Sequence, residues 1–293
     1  MVPSGTPTLE PPARATDRWR QWWPALFAIT LVLLVVITVA VRHSGRPTPS
    51  AAATPSPAAS PSAAPTSAAP TLEHTSAPPS AGPTSLDPEI LQVPGAVPTH
   101  GSGDFVYAVK RGAVLGGKGP IRRFHVAVEK GSGEDANAFA TLVVSTLGDA
   151  RSWVGDGNLR LQMVDADDHA DFTVYLATRE TAGEMCQRGG TNIHIGGVPY
   201  TSCRVPGAAI INLDRYRKSA KPYLAAKIPL ATYRMYVINH EVGHELGHHH
   251  EGCPEPGGPA PVMVQQTLML RGCVPYSWPR LDNHPFTGPS VSH

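Results

Sequence analysis

The sequence predicts an α+β domain, with one mixed β-sheet and two main helices, that follows a transmembrane helix and a disordered Pro/Ala-rich stalk. Three observations lead to this expectation. An uncharged apolar run occupies residues 24–41, a stretch dominated by Pro, Ala, Ser and Thr fills 42–100, and periodic apolar patterns begin after residue 101. Residues 101–293 are numerous enough to bury a core of their own, so we expect them to form the folded domain.

The apolar run has the length of a membrane-spanning helix. Its eighteen residues, PALFAITLVLLVVITVAV, carry no charge, and at 1.5 Å per residue they span about 27 Å, close to the hydrocarbon thickness of a bilayer. Arginines are more frequent before the run than after it, which favours a cytoplasmic tail over residues 1–23 and an extracytoplasmic C-terminal domain. We therefore expect a single-pass protein of the cell membrane, with cleavage as a signal peptide and secretion as the alternative.

The stretch over residues 42–100 predicts a linker without a core. Its composition, as in PTPSAAATPSPAASPSAAPTSAAP, buries too little apolar surface to offset the entropy of ordering the chain. Proline keeps such a segment extended, at about 3.1 Å per residue where polyproline II forms. The linker is therefore expected to hold the domain away from the membrane.

Apolar periodicity locates the elements of the folded domain. Alternating patterns predict strands, and three- and four-residue spacings predict helices. Their order (strand, strand, helix, strands, helix) indicates an α+β or α/β domain with one mixed sheet. The expected strands are 105–110, 122–129, 159–164, 171–177 and 208–214, and the expected helices are 132–148 and 230–248.

The segment NHEVGHELGHHHEGC, residues 239–253, has the spacing of a metal site. His240 and His244 are four residues apart and lie on one face of the predicted helix. Glu241 directly follows the first histidine in the sequence, as in HExxH sites. Gly247 can adopt left-handed backbone angles and end the helix. His250, three residues later, is then the expected third ligand, which leaves a position open as in catalytic zinc sites.

This stretch resembles the metzincin zinc-peptidase signature H-E-x-x-H-x-x-G-x-x-H, and the motif covers about a tenth of the chain. The resemblance implies that His240, His244 and His250 bind one zinc ion, that Glu241 is the general base, and that Gly247 permits the turn. It also implies a mixed sheet with a long active-site helix.

Metzincins have a methionine in a tight turn beneath the metal, and the resemblance assigns that role to Met263. Tyr276, the nearest downstream tyrosine, is a candidate for stabilising the transition state, although Val264 and Gln265 depart from the residues that many metzincins have after this methionine. The loop GCPEPGGPAPVM is also similar to a family of bacterial exported domains assigned to the metzincin-like group. His249 and Glu251 stay open as alternative metal ligands.

All four cysteines lie after residue 185, and four cysteines allow three pairings. An exported domain favours oxidation, so we expect two local bridges, Cys186–Cys203 and Cys253–Cys273. A role for the Cys253 thiol as a metal ligand is the alternative.

These patterns together predict a membrane-anchored zinc endopeptidase that hydrolyses peptide bonds with a zinc-bound water activated by Glu241. The expected substrate is a polypeptide or the peptide of a cell wall, extended along a sheet edge at residues 208–213. The net charge of +1 gives no reason to expect nucleic acid as a partner, and we expect a monomer. The alternative is a non-catalytic cell-surface or cell-wall-associated module with a structural zinc site, but such a site gains nothing from Glu241 and closes with four protein ligands.

Overall fold

A computed structural model describes residues 89–109 and 111–291. The predicted tail (1–23), the predicted transmembrane helix (24–41) and residues 42–88 of the predicted linker lie outside these residues. Within the described ranges, no helix combines the length and the apolar character that a membrane span requires.

The domain has an α+β architecture built on a mixed six-stranded sheet, as the sequence predicts. Four strands run parallel, and the antiparallel first and seventh strands border them. The strands are β1 (Phe105–Tyr107), β2 (Ile121–Glu129), β3 (Arg160–Met163), β4 (Phe172–Ala177), β5 (His194–Ile195), β6 (Val198–Pro199), β7 (Cys203–Val205), β8 (Ala208–Asn212), β9 (Arg280–Leu281) and β10 (His284–Pro285). The helices are α1 (Ala136–Gly148), α2 (Arg179–Arg188), α3 (Leu213–Lys218), α4 (Lys221–Ala225) and α5 (Leu230–Glu245), with a 3-10 turn at Trp153–Asp156.

The sheet separates a large core from a small one because successive side chains of a strand point to opposite faces. In β4, Val174 and Leu176 face the large core, which α1 and α5 cover. Tyr175 and Ala177 face the small core, which α2 covers. Each fully buried Val or Leu stabilises the fold by roughly 1.5–3 kcal/mol through removal of apolar surface from water, so the large core fixes α5 against the sheet.

The described end of the predicted linker packs against the domain. Ile90, Val93 and Val97 are partly buried against the large core, and the carbonyl of Ile90 accepts a hydrogen bond of 2.8 Å from the backbone N–H of Leu230 at the start of α5. The boundary expected at residue 101 therefore lies inside the packed region. Isolated apolar residues among prolines give no periodic signal, and for that reason the pattern does not reveal these contacts.

The predicted elements differ from the structure mainly at their ends and in the short helices. The helix expected to start at Ser132 begins at Ala136, because the Asp135 carboxylate caps it by accepting from the N–H of Ala138 at 2.7 Å. The sequence did not predict α2, α3 or α4, which have only ten, six and five residues. Helices of this length show too few turns for a clear period.

The strand at 208–213 was expected at the sheet edge, and this expectation is wrong. Its counterpart β8 lies between β4 and β7. A tight turn with Gly207 at φ 80° folds the chain back, so that Cys203–Val205 pairs antiparallel with Ala208–Ile210. The terminal strand is therefore β7, whose three residues are too few to form a recognisable alternating pattern.

Both predicted disulfides are present, Cys186–Cys203 and Cys253–Cys273, and the described residues contain no free cysteine. The first bridge joins α2 to the edge strand β7. The second closes the loop that carries Met263. Oxidation of Cys253 removes it as a candidate metal ligand.

Replacing Cys186 and Cys203 together by serine should lower the free energy of unfolding by about 3 kcal/mol, because the bridge restricts a loop with a sequence separation of 17 residues in the unfolded chain. Urea unfolding followed by tryptophan fluorescence measures the change. The single variant Cys186→Ser also lacks the bridge but keeps the Cys203 thiol. It should lose a similar amount of stability if the bridge, and not the second sulfur, is responsible. An unfolding midpoint equal to that of the parent domain would contradict the prediction.

Candidate metal centre

Helix α5 places two histidines of the predicted motif one turn apart on the same face. The ring centroids of His240 and His244 lie 4.8 Å apart. Helix α5 is buried along most of its length, so tertiary packing holds both residues at fixed positions.

Gly247 ends the helix and returns the chain toward these rings. Its φ of +96° belongs to the left-handed region, and two hydrogen bonds complete the turn: His248 N–H to Gly243 C=O at 3.0 Å and Gly247 N–H to His244 C=O at 3.1 Å. This is the Schellman arrangement of a helix C-terminus. The turn brings His250 close to His244, with a distance of 4.6 Å between the two ring centroids.

The three imidazoles form a group that could hold a metal ion. One nitrogen from each of His240, His244 and His250 lies within 4.8 Å of the other two. The Nε2 atoms of His244 and His250 are 3.0 Å apart, near the separation of about 3.3 Å that two ligands have on a tetrahedral zinc ion with bonds of about 2.0–2.1 Å. The structure thus brings together the three histidines that the spacing singled out.

Backbone carbonyls fix how two of the rings face the centre. Nδ1 of His240 lies 2.8 Å from the carbonyl of Val262, and Nδ1 of His244 lies 2.8 Å from the carbonyl of His248. A carbonyl oxygen only accepts, so each Nδ1 must carry the proton and each Nε2 keeps its lone pair. Such outer hydrogen bonds are the usual means of orienting metal-binding histidines.

The surroundings favour the neutral imidazoles that metal binding requires. Burial, followed by the neighbouring His244, lowers the pKa of His240 well below its usual range. Burial also lowers the pKa of His244, and the positive charge of Arg204 acts in the same direction.

Glu241 lies in the wall of the same cleft and is 5% exposed. Burial raises the pKa of its carboxyl to about 8, because the interior solvates a carboxylate poorly. A carboxyl group with such a pKa can accept and release a proton near neutral pH.

Met263 occupies a tight turn directly against α5. The N–H of Val264 donates to the carbonyl of Pro261 at 3.0 Å, and Met263 is buried within this turn. A Cβ atom on Gly243 would lie 2.7 Å from the Met263 sulfur. The same Cβ atom would lie 2.6 Å from the Trp153 ring, so glycine at that helix position lets Trp153 and the Met263 side chain pack closely against α5. The turn also carries the Val262 carbonyl that contacts the first histidine.

Two fully buried polar residues that the sequence did not single out support the centre. Asn239 accepts from the Ser152 hydroxyl at 2.7 Å and donates to the Ser277 carbonyl at 3.0 Å. Gln266 donates to the Tyr276 carbonyl at 2.7 Å. These bonds tie α5 and the Met263 loop to the segments that surround them. A single amide residue has no spacing that would reveal this function in a sequence.

The remaining predicted residues lie outside the three-histidine group. Tyr276 donates its hydroxyl to the carbonyl of Arg280 at 2.7 Å and is not one of the side chains that line the cleft beside Glu241. His249 lines that cleft but is exposed, and Glu251 accepts from the N–H of Gly288 at 3.0 Å.

The cleft at the centre has a volume of about 420 Å³, which lies in the usual range of ligand sites. Its walls come from the three histidines and Glu241, from the edge strand β7, from the β5–β6 hairpin and from residues just after Met263. The cleft therefore lies between α5 and the edge strand of the sheet.

Residues 92–277 match the family model described as "Protein of unknown function (DUF3152)". The match covers more than half of the chain and includes all three histidines, Glu241 and Met263. No curated protein and no solved structure matches the chain significantly.

Replacing Gly247 by alanine should weaken zinc binding by at least about tenfold, because a side chain at φ +96° is strained and the turn both orients His244 and returns His250. Competition with a chelator of known affinity measures the loss. Gly207→Ala is the matched control, since Gly207 also has a left-handed φ with nothing within 4 Å of the added Cβ but does not line the cleft. Equal weakening in both variants would contradict a specific effect of the Gly247 turn.

Proposed function

The chain belongs to the DUF3152 family, and from its three-histidine centre we propose that it is a zinc-dependent endopeptidase. One observation carries the proposal: three converging imidazoles share a cleft with a buried carboxylate. A purely structural metal site does not need such a carboxylate beside its first ligand.

The donor set supports zinc as the metal. Imidazole nitrogen is a common zinc ligand, and three protein ligands with a vacant fourth position are typical of catalytic sites. Among the described residues, the group contains three histidines and no fourth protein ligand. A zinc ion held there supplies a Lewis acid that polarises a carbonyl oxygen and makes water more acidic.

Glu241 is the proposed general base. Its carboxylate takes a proton from the attacking water and returns it to the amine of the leaving peptide. The turn at Met263 packs beneath the helix and provides the carbonyl that orients His240, which supports a metzincin-like arrangement of the site. The tyrosine expected to assist, Tyr276, is bonded elsewhere, so the proposed mechanism gives it no role.

The edge strand β7 is the proposed binding site for an extended peptide. Strand β7 is terminal in the sheet, and both Cys203 and Arg204 line the cleft. A substrate could add to this edge through backbone hydrogen bonds, as in other cases of strand addition. The proposed substrates are polypeptides or the peptides of a cell wall.

An extracytoplasmic position agrees with the chemistry of the domain. Disulfides persist mainly in oxidising compartments, and both bridges are formed. Together with the apolar run at 24–41, they support a domain anchored outside the cell membrane, or a secreted domain if the run is cleaved.

Substituting Glu241 by glutamine should leave zinc bound but reduce the rate of peptide cleavage by about 10²- to 10⁴-fold, because the amide cannot accept the proton. The readouts are zinc content and cleavage of a peptide library. Glu184→Gln, on the exposed surface of α2 with a side chain 70% exposed, is the control and should cleave normally. If the Glu241 variant were as fast as the parent protein, Glu241 could not be the base.

The two neighbouring histidines after Gly247 provide a test of the metal ligands. His250→Ala should lose most of the bound zinc and the peptidase activity, whereas His249→Ala should retain one zinc ion per chain, because only His250 belongs to the three-histidine group. Elemental analysis and the peptide digest measure both properties.

Chelation of zinc distinguishes the proposed peptidase from the non-catalytic alternative. Removing zinc should abolish cleavage, and restoring zinc should recover it. A domain that becomes less stable on chelation but cleaves no peptide in either state would support the structural zinc module.

A further inference from the structure

Arg204 is the one permanent cation among the described residues of the cleft. Among the described side chains that line it, Arg204 is the only arginine or lysine, and Glu241 is the only carboxylate. If Glu241 acts as the base and the three histidines hold zinc, Arg204 is the described cationic side chain of the cleft that remains to pair with an anionic group of the substrate.

Strand geometry directs Arg204 toward the metal-binding helix. Its neighbours Cys203 and Val205 pack in the small core beneath α2, so the intervening side chain must point to the opposite face of the sheet. There the Nε atom of Arg204 donates to Oε1 of Glu245, at the end of α5, over 2.6 Å.

This contact orients the guanidinium and uses only one of its three nitrogens. The side chain of Glu245 is 3% exposed, whereas that of Arg204 is 36% exposed. Within the described part of the chain, neither Nη atom of Arg204 forms a hydrogen bond with another residue. A planar fork held at Nε, with both Nη atoms available, matches the two oxygens of a carboxylate.

We propose that Arg204 binds a carboxylate of the substrate close to the scissile bond, so that the cleft selects acidic peptides. This inference rests on the proposed peptidase function and assigns its substrate class. The carboxylate belongs either to an Asp or Glu side chain, as in an internal cleavage, or to the C-terminus of the peptide, which would place the cleaved bond near that end. The chemistry at Arg204 is the same in both cases.

Matched peptides test the proposal and distinguish the two sources. One pair differs only by Glu or Gln beside the bond that the library identifies as cleaved, and a second pair differs only by a free or amidated C-terminus placed there. The zinc-loaded parent protein should cleave the acidic member of one pair about 10- to 100-fold more efficiently, mainly through a lower KM, because charged hydrogen bonds contribute this much discrimination. Equal kcat/KM within both pairs would overturn the proposal while leaving the peptidase function intact.

Variants of the ion pair show whether Arg204 causes the preference. Arg204→Gln alone leaves the buried Glu245 carboxylate without its partner, so the informative variant is Arg204→Gln combined with Glu245→Gln, whose folding is checked by thermal unfolding. It should lose the preference, and Arg204→Lys should keep only part of it because an ammonium lacks the fork. Arg188→Gln, on the exposed surface of α2 with a side chain 70% exposed, should retain the preference in full. If the double variant still prefers the acidic peptide, another residue is responsible and the proposal fails.

A binding measurement keeps the two proposals distinguishable. Calorimetric titration of the zinc-loaded Glu241→Gln variant with both peptide pairs requires no hydrolysis. The assignment is supported if the acidic peptide of a pair has the lower Kd and if the difference in Kd disappears when Arg204→Gln and Glu245→Gln are added. This result does not require any peptide to be cleaved. Equal affinities within both pairs would refute it independently of catalysis.

Discussion

The centre depends on the left-handed turn at Gly247. The same turn does two things at once: it closes the end of α5 with the hydrogen bond from His248 to Gly243, and it presents the His248 carbonyl to Nδ1 of His244. His250 reaches the other two rings only because the chain reverses here. A β-carbon at this position would meet no neighbouring atom, so the requirement is for the backbone angle and not for space.

The first histidine is oriented by a different part of the chain. The carbonyl of Val262 orients His240, and the lack of a side chain at Gly243 lets the Met263 sulfur pack against the helix. The bridge Cys253–Cys273 and the buried amide of Gln266 fix this loop from either side. The centre is therefore assembled between a packed helix and a constrained loop, which fixes the relative positions of the three imidazoles.

Several groups at the centre are buried against their intrinsic preference for water. Glu241 is buried beside the histidines, and Glu245 is buried with Arg204 as its partner. Desolvation of ionisable side chains costs free energy, and it is characteristic of functional sites because it shifts their proton affinities. The large core around Tyr233 and Tyr236, both buried on α5, offsets this cost through the burial of apolar surface.

The sequence by itself determined what depends on short spacings: the mixed α+β fold, the histidines one helical turn apart, the bend at Gly247, and two disulfides between neighbouring cysteines. The helix, strand and turn patterns follow from local backbone geometry, which repeats along the chain, and the two pairings follow from the short separation of the paired cysteines in sequence. Only the tertiary structure decided which strand forms the edge, and that Arg204 meets Glu245, 41 residues away. It also placed Tyr276 outside the cleft that contains Glu241. Such placements depend on how segments pack in three dimensions, and a three-residue strand or a single side chain carries no periodic pattern from which that packing could be inferred.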